Sequence, residues 1–199
     1  MIDDKKKIYW IRHGESLSNI SDLNHNIIDP DLTSNGINQC EELKKKIKFD
    51  NLYNQIDLIV VSPLTRSLET SKNIFDKLIF KTKFICLEEI REHIDKPCHK
   101  RKTKNFLIKK YKFIDFTNLE HENDFLYENY KGSETNHDVI ERCRKFIRWL
   151  KNRREKNIII VTHGNFLYPM FNNVLKNVHN KTFFSNCELR IYEFDKNSI

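Results

Sequence analysis

A three-layer α/β/α fold around a mostly parallel central sheet is predicted by three features of the sequence. Short, unbroken apolar runs recur at residues 8–11 (IYWI), 57–61 (DLIVV), 84–87 (FICL) and 157–161 (NIIIV). Longer segments between them carry apolar residues three and four positions apart. No internal repeat or low-complexity linker divides the 199 residues. Strands buried on both faces read as continuous apolar runs, and alternating them with amphipathic helices builds a layered parallel sheet. A single domain over 1–199 is expected, with an irregular insertion at 93–133 capping the sheet's carboxyl edge.

The first run breaks abruptly into Arg12-His13-Gly14-Glu15, where Gly14 permits a sharp turn and Ser16 or Asn19 suits the cap of a following helix. Residues 21–30 are polar and aperiodic, a surface loop. Thr33 is placed to N-cap a helix with Ile37, Cys40, Leu43 and Ile47 on one face, and Lys44, Lys45, Lys46 and Lys48 complement the dipole at its end. The second run ends in Ser62-Pro63, and proline fits a first helical turn. Leu64, Leu68, Ser71, Phe75 and Leu78 form that helix's inward stripe, so Arg66 falls in its opening turn, just past a strand end.

The third run leads into Glu88-Glu89-Ile90-Arg91-Glu92-His93. Residues 93–133 are the least regular, with a basic cluster at 96–104, then aromatics, and one or two helical turns expected. Asn136 or Ser133 starts the next helix, whose buried stripe is Val139, Ile140, Cys143, Phe146, Ile147 and Leu150. The run at 157–161 breaks into Thr162-His163-Gly164. A helix over about 166–177 and a last strand around 188–194 complete the chain.

Composition narrows the class. Hydrophobic residues make up 39% and charged residues 32%, which suits a packed globule rather than a disordered chain. No apolar stretch approaches the roughly 18–20 residues of a membrane span, and the N-terminus lacks an apolar signal segment, so a cytoplasmic protein is expected. Cys40, Cys86, Cys98, Cys143 and Cys187 are scattered without a CxxC pair, which reads as reduced core thiols. His93 and Cys98-His99 fit no standard ligand spacing, so neither metal nor cofactor is expected. The net charge of +7 favours anionic partners. A basic stretch interleaved with aromatics is one way to bind nucleic acid, but here the aromatics read better as anchors of the insertion.

Three junctions then fall together. Arg12-His13, Arg66 and His163 each lie just past the carboxyl end of a buried strand, and in an open parallel sheet those ends share one edge where ligands bind. Two guanidiniums facing two imidazoles make a site for a dianionic phosphate. A neutral imidazole is also a nucleophile toward phosphorus. Such chemistry requires a group that protonates the leaving alcohol and then activates water; Glu89 and Glu92, after the third run, are the candidates.

These residues bring the chain to a known family. Arg12-His13-Gly14-Glu15 with Asn19 resembles the RHGExxxN signature of the histidine phosphatase, or phosphoglycerate mutase-like, superfamily. Leu32-Thr33 with Gly36 resembles its PLTxxG segment, with Asp31 in place of proline. Ser62 to Ser71 is similar to SPLxRAxxTA, and Thr162-His163-Gly164 to the second-histidine motif. The resemblance implies a phosphoglycerate mutase-like fold, with His13 as phosphorylated nucleophile. It implies a phosphate pocket of Arg12, Arg66 and His163 with Gly164, and Asn19 as an added contact. Ile90-Arg91-Glu92 matches the segment bearing the family's acid, which favours Glu92 and keeps Glu89 in reserve. Residues 91–101 with Ile114-Asp115-Phe116 also resemble a eukaryotic subgroup carrying REHxG, CDxR and FxxxDF, with Asp95 and His99 in place of its glycine and aspartate. Lys100, Arg101 and Lys102 fall in or beside that segment and are candidate contacts for a second anionic group, Arg101 first among them.

The expected activity is metal-independent hydrolysis of a phosphate monoester, a small metabolite or a phosphoprotein, through a phosphohistidine. The alternatives are mutase-type phosphoryl transfer, which the short chain disfavours, and a module that only binds phosphorylated ligands.

Overall fold

The computed structural model describes residues 5–176 and 183–195. His179 and the end of the helix expected to reach 177 lie outside the described residues. In chain order the principal elements are β1 (Lys5–Arg12), α1 (Ser34–Phe49), β2 (Leu58–Val61), α2 (Thr65–Phe75) and β3 (Lys83–Cys86). There follow α3 (Lys104–Lys110), β4 (Ile114–Asp115), α4 (Phe125–Tyr130), α5 (Asn136–Lys151), β5 (Asn157–Thr162), α6 (Gly164–Pro169) and β6 (Leu189–Asp195).

The six strands form one sheet in the order β4-β3-β2-β5-β1-β6, parallel throughout except for β6, which runs antiparallel to β1. Strand alternation splits every run between two cores. Tyr9, Ile11, Ile59, Val61, Ile159 and Val161 pack with Leu43, Ile47, Leu68 and Phe75 of α1 and α2. Ile8, Trp10, Leu58, Val60, Ile158 and Ile160 pack with Phe146, Leu150 and Phe166 of α5 and α6. That is the three-layer architecture, and it explains why the runs are apolar without alternation.

Local signals hold with instructive exceptions. Thr33 caps α1 by accepting from the Gly36 N–H. The α5 cap is Thr135, in a reciprocal box with Asp138, rather than either residue read from the sequence. Ser16 opens only a single 3₁₀ turn, Leu17–Asn19, because the Leu17 N–H and the Ser16 bridge to Leu32 tie that segment to the stretch before α1. Pro169 stops α6 early, and the chain continues as a wide π turn, Met170–Val174. The expected surface loop at 21–30 holds a 3₁₀ turn, Asp22–Asn26, and ends in a buried Asp29. Asp29 accepts from both the N–H and the hydroxyl of Thr65 at 2.7 Å, capping α2 from a distant part of the chain.

The insertion contributes β4 to the sheet edge, and Tyr111 and Phe116 are buried in the core; Phe106 and Phe125 remain exposed. All five cysteines are buried free thiols, as expected of core fillers. Among the described residues no helix is long and apolar enough to cross a membrane.

Candidate active site

In the sheet order β5 lies between β2 and β1, so the carboxyl ends of these three strands are adjacent. Arg12 pairs in register with Thr162, and Val61 with Val161. This places His13, Ser62 and His163 side by side, and α2 starts over them with Arg66. The imidazole centroids of His13 and His163 are 5.0 Å apart.

The His13 ring is oriented by its backbone. Nδ1 lies 2.7 Å from the Gly14 carbonyl, which can only accept, so Nδ1 carries the proton and Nε2 keeps its lone pair. Arg66 Nε approaches that Nε2 at 3.3 Å, and Arg66 Nη1 donates to the Cys98 carbonyl. Burial, then the guanidiniums of Arg66 and Arg12, holds His13 well below the usual histidine range, and hence neutral. His163 is also driven down, by burial first and then by Arg66. Its Nε2 meets the hydroxyls of Ser62 at 2.7 Å and Ser67 at 3.2 Å.

The turn bearing His13 is held by close backbone approach. A Cβ at Gly36 would lie 2.0 Å from the Glu15 carbonyl oxygen, and one at Gly14 would lie 2.8 Å from the Gly36 oxygen. Gly14 is not in the left-handed region, so glycine serves the turn there by allowing close contact. Its N–H donates to Thr70 of α2. At Gly164 the demand is looser, since a Cβ there would sit in ordinary contact, 3.4 Å from Arg12 Nε.

Arg12, His13, Arg66, Glu92, Gly164 and Asn165 line a cleft of about 190 Å³, with Asn19, Lys96 and His99 also in its lining, while the fully buried His163 is not part of that lining. Asn19 spends its carbonyl on Ser16, leaving its NH₂ to the cleft. Glu92 Oε1 accepts from the N–H groups of His93 and Asn165, which fixes the carboxyl at the cleft. Glu89 faces away and pairs with Lys145 at 2.7 Å, so of the two candidate acids only Glu92 reaches the site.

Arg101 corrects the sequence reading. Its side chain is buried away from the cleft, bound to Glu88 at 2.7 Å and to four backbone carbonyls. It holds the insertion together and does not line the cleft that contains His13. Lys96, Asn165 and His25 line the cleft without having been singled out as contacts. For Asn165 the available signal was its place one residue after Gly164, at the start of α6. The two departures from the subgroup pattern meet each other: His99 Nδ1 lies 2.9 Å from Asp95 Oδ1.

Two buried nitrogens beside His13 have no protein partner, Arg12 Nε and His163 Nδ1. Donor atoms of His13, Glu92 and His163 lie within 4.8 Å of one another, a grouping able to hold a cation. The adjoining guanidiniums of Arg12 and Arg66 oppose that, and unpartnered nitrogens beside two cations suit an anion instead.

A family profile described as the histidine phosphatase superfamily, branch 1, matches residues 8–199. The chain belongs to the histidine phosphatase superfamily. Among its relatives in that superfamily is phosphoglycerate mutase-like protein 1 of Arabidopsis thaliana, 30% identical over 93% of this chain and 79% of that protein. A probable phosphatase of Schizosaccharomyces pombe is 30% identical over 80% of this chain and 74% of its own length. The fold matches that of phosphoserine phosphatase from Entamoeba histolytica in complex with 3-phosphoglyceric acid: TM-score 0.56, 22% identity, 93% of this chain and 89% of that one. It also matches the ecdysone phosphate phosphatase of Bombix mori in complex with tungstate: TM-score 0.60, 16% identity, 94% and 88% covered.

Proposed function

We propose that this histidine phosphatase superfamily member hydrolyses phosphate monoesters through a phosphohistidine on His13. The observation that carries the reading is a neutral imidazole whose lone-pair nitrogen faces Arg66, flanked by the unpartnered nitrogens of Arg12 and His163. The guanidiniums and His163 bind the phosphoryl oxygens, where charge stabilisation dominates such chemistry. His13 Nε2 forms a bond to phosphorus as the ester P–O bond breaks, and the leaving oxygen takes the proton of the Glu92 carboxyl. The resulting carboxylate then takes a proton from water. The hydroxide so formed attacks phosphorus, the P–N bond breaks, its electron pair returns to Nε2, and phosphate leaves with Glu92 reprotonated.

Relatives with phosphatase names and ester-bound or oxyanion-bound structural neighbours support a small phosphorylated substrate. The test is release of phosphate from an aryl phosphate with chelator present, wild type against His13→Ala. Chelator-resistant turnover that falls by orders of magnitude in the variant, with an acid-labile phosphoenzyme trapped from the wild type, is expected. Turnover surviving in His13→Ala would reject the mechanism. Phosphoryl return to a second hydroxyl of a diol ester would show the mutase outcome instead.

A further inference from the structure

The basic run at 96–104 is sorted by the fold into different tasks. Lys100 lies near Glu128 and over the Tyr127 ring, Arg101 is caged by carbonyls, and Lys102 and Lys104 donate to the carbonyls of Ile28 and Leu119. Lys96 is different. It is half-buried on the wall of the cleft, and its ammonium makes no hydrogen bond or ion pair among the described residues.

Three residues on, His99 lines the same cleft and is 7% exposed. Its Nδ1 is inaccessible and lies against Asp95, so Nε2 is the polar atom that the ring has left for the cleft. Lys96 and His99 bracket one 3₁₀ turn, Pro97–His99, closed by the His99 N–H on the Lys96 carbonyl. That turn is fastened to the phosphate pocket itself, because the Cys98 carbonyl accepts from Arg66 and the His99 carbonyl from the buried Arg91. A cation, Lys96, and a hydrogen-bond acceptor, His99 Nε2, therefore stand at a fixed offset from the phosphate pocket.

Charge balance asks for an occupant. In the proton-donating state Glu92 is neutral, and Arg12, Arg66 and Lys96 carry three positive charges in the cleft. A phosphoryl dianion matches two of them. The third, on Lys96, is shared between the neighbouring Asp95 carboxylate and the remainder of the substrate.

We propose that Lys96, together with the Asp95-oriented His99, forms a subsite for an anionic group on the leaving portion of the substrate, a carboxylate or a second phosphate. The inference deepens the phosphatase reading and rests on it for the place of the scissile phosphate. Burial holds the His99 ring below the usual histidine range, and Asp95 favours the Nδ1–H tautomer, so Nε2 accepts from a hydroxyl on the same portion of the substrate. Lys96 supplies the permanent charge.

The experiment compares 3-phosphoglycerate with glycerol 3-phosphate, which replaces the carboxylate by a hydroxymethyl group, and with 1,3-propanediol bisphosphate as the second-phosphate arm. Wild type is expected to favour at least one anionic ester over glycerol 3-phosphate by about tenfold or more in kcat/KM, the size of a charge-assisted hydrogen bond. Lys96→Ala should erase most of that ratio and Lys96→Arg retain it. Which arm carries the preference identifies the anion. Dissociation constants for the same esters, measured by calorimetry on the His13→Ala protein with and without Lys96→Ala, report the subsite without turnover. A binding preference that depends on Lys96 while no ester is cleaved would sink the hydrolase reading and keep the subsite. Equal handling of all three esters, or a preference unchanged by Lys96→Ala, would overturn the subsite whatever the turnover.

Discussion

His13 and His163 are titratable groups that the fold keeps uncharged, and this ties stability to acidity. Burial and the neighbouring guanidiniums lower both below the ordinary value of 6.5. The unfolded chain therefore binds more protons than the native one below that value. The contribution is fully present above about pH 6.5 and is lost as pH falls toward the folded-state values. The urea midpoint should drop between about pH 7.5 and about pH 5.5, a window in which most carboxylates stay ionised. The drop should be smaller in His163→Asn; an equal drop in both proteins would show that His163 is not the group responsible. His13, Arg12, Arg66 and His163 were legible in the sequence because each follows an apolar run that can only be a strand. Lys96 was not, since a lysine in a basic loop reads the same whether it faces a cleft, a carbonyl or solvent. Arg101 was misassigned for the same reason.

Among the elements, α1 has the tightest constraint at its start. Gly36 in its first turn meets the Glu15 carbonyl, and Gly14 meets Gly36 in turn, so the helix start and the His13 turn are one packed unit. Gly36→Ala cannot be relieved by a side-chain rotation, because the atom it strikes is backbone. A loss of about 1–3 kcal/mol in urea unfolding is expected, together with a fall in turnover as His13 shifts. Full activity in that variant would show the two backbones to be independently placed. The sequence marks Thr33 as the cap here, and the fold agrees. At α5 three neighbouring residues were each chemically able to cap, and only the pairing with Asp138 selected Thr135. Where α6 ends was set by Pro169, whose effect on the following turn no periodicity announces.

Across the whole molecule, the insertion is held to the sheet by ion pairs as well as by apolar contact. Arg91, fully buried, grips Asp124 through both oxygens at 2.6 and 2.8 Å and Glu88 at 2.9 Å, and Glu88 also holds Arg101. These contacts join the end of β3 to the start of α4. Asp124→Asn leaves Arg91 short of a counter-charge and should cost about 3 kcal/mol. Protease cleavage within 104–131 should then precede global unfolding; cleavage tracking global unfolding would mean that apolar contacts alone secure the segment. The layer architecture was legible from the apolar runs. The path of the insertion was not, because it is set by pairings between residues such as Arg91 and Asp124 that are distant in sequence and carry no period.

The strand order also dictates when the edge bearing His13 and His163 can exist. Strand β1, which delivers Arg12 and His13, pairs among the described residues with β5 and β6, and both are synthesised after residue 156. During translation β2, β3 and β4 can zip together early, while β1 waits with two open edges for most of the chain's synthesis. Non-local pairing of this kind is slow and exposes strand edges to intermolecular association. The edge that brings His13 beside His163 therefore cannot form until the NIIIV strand has emerged.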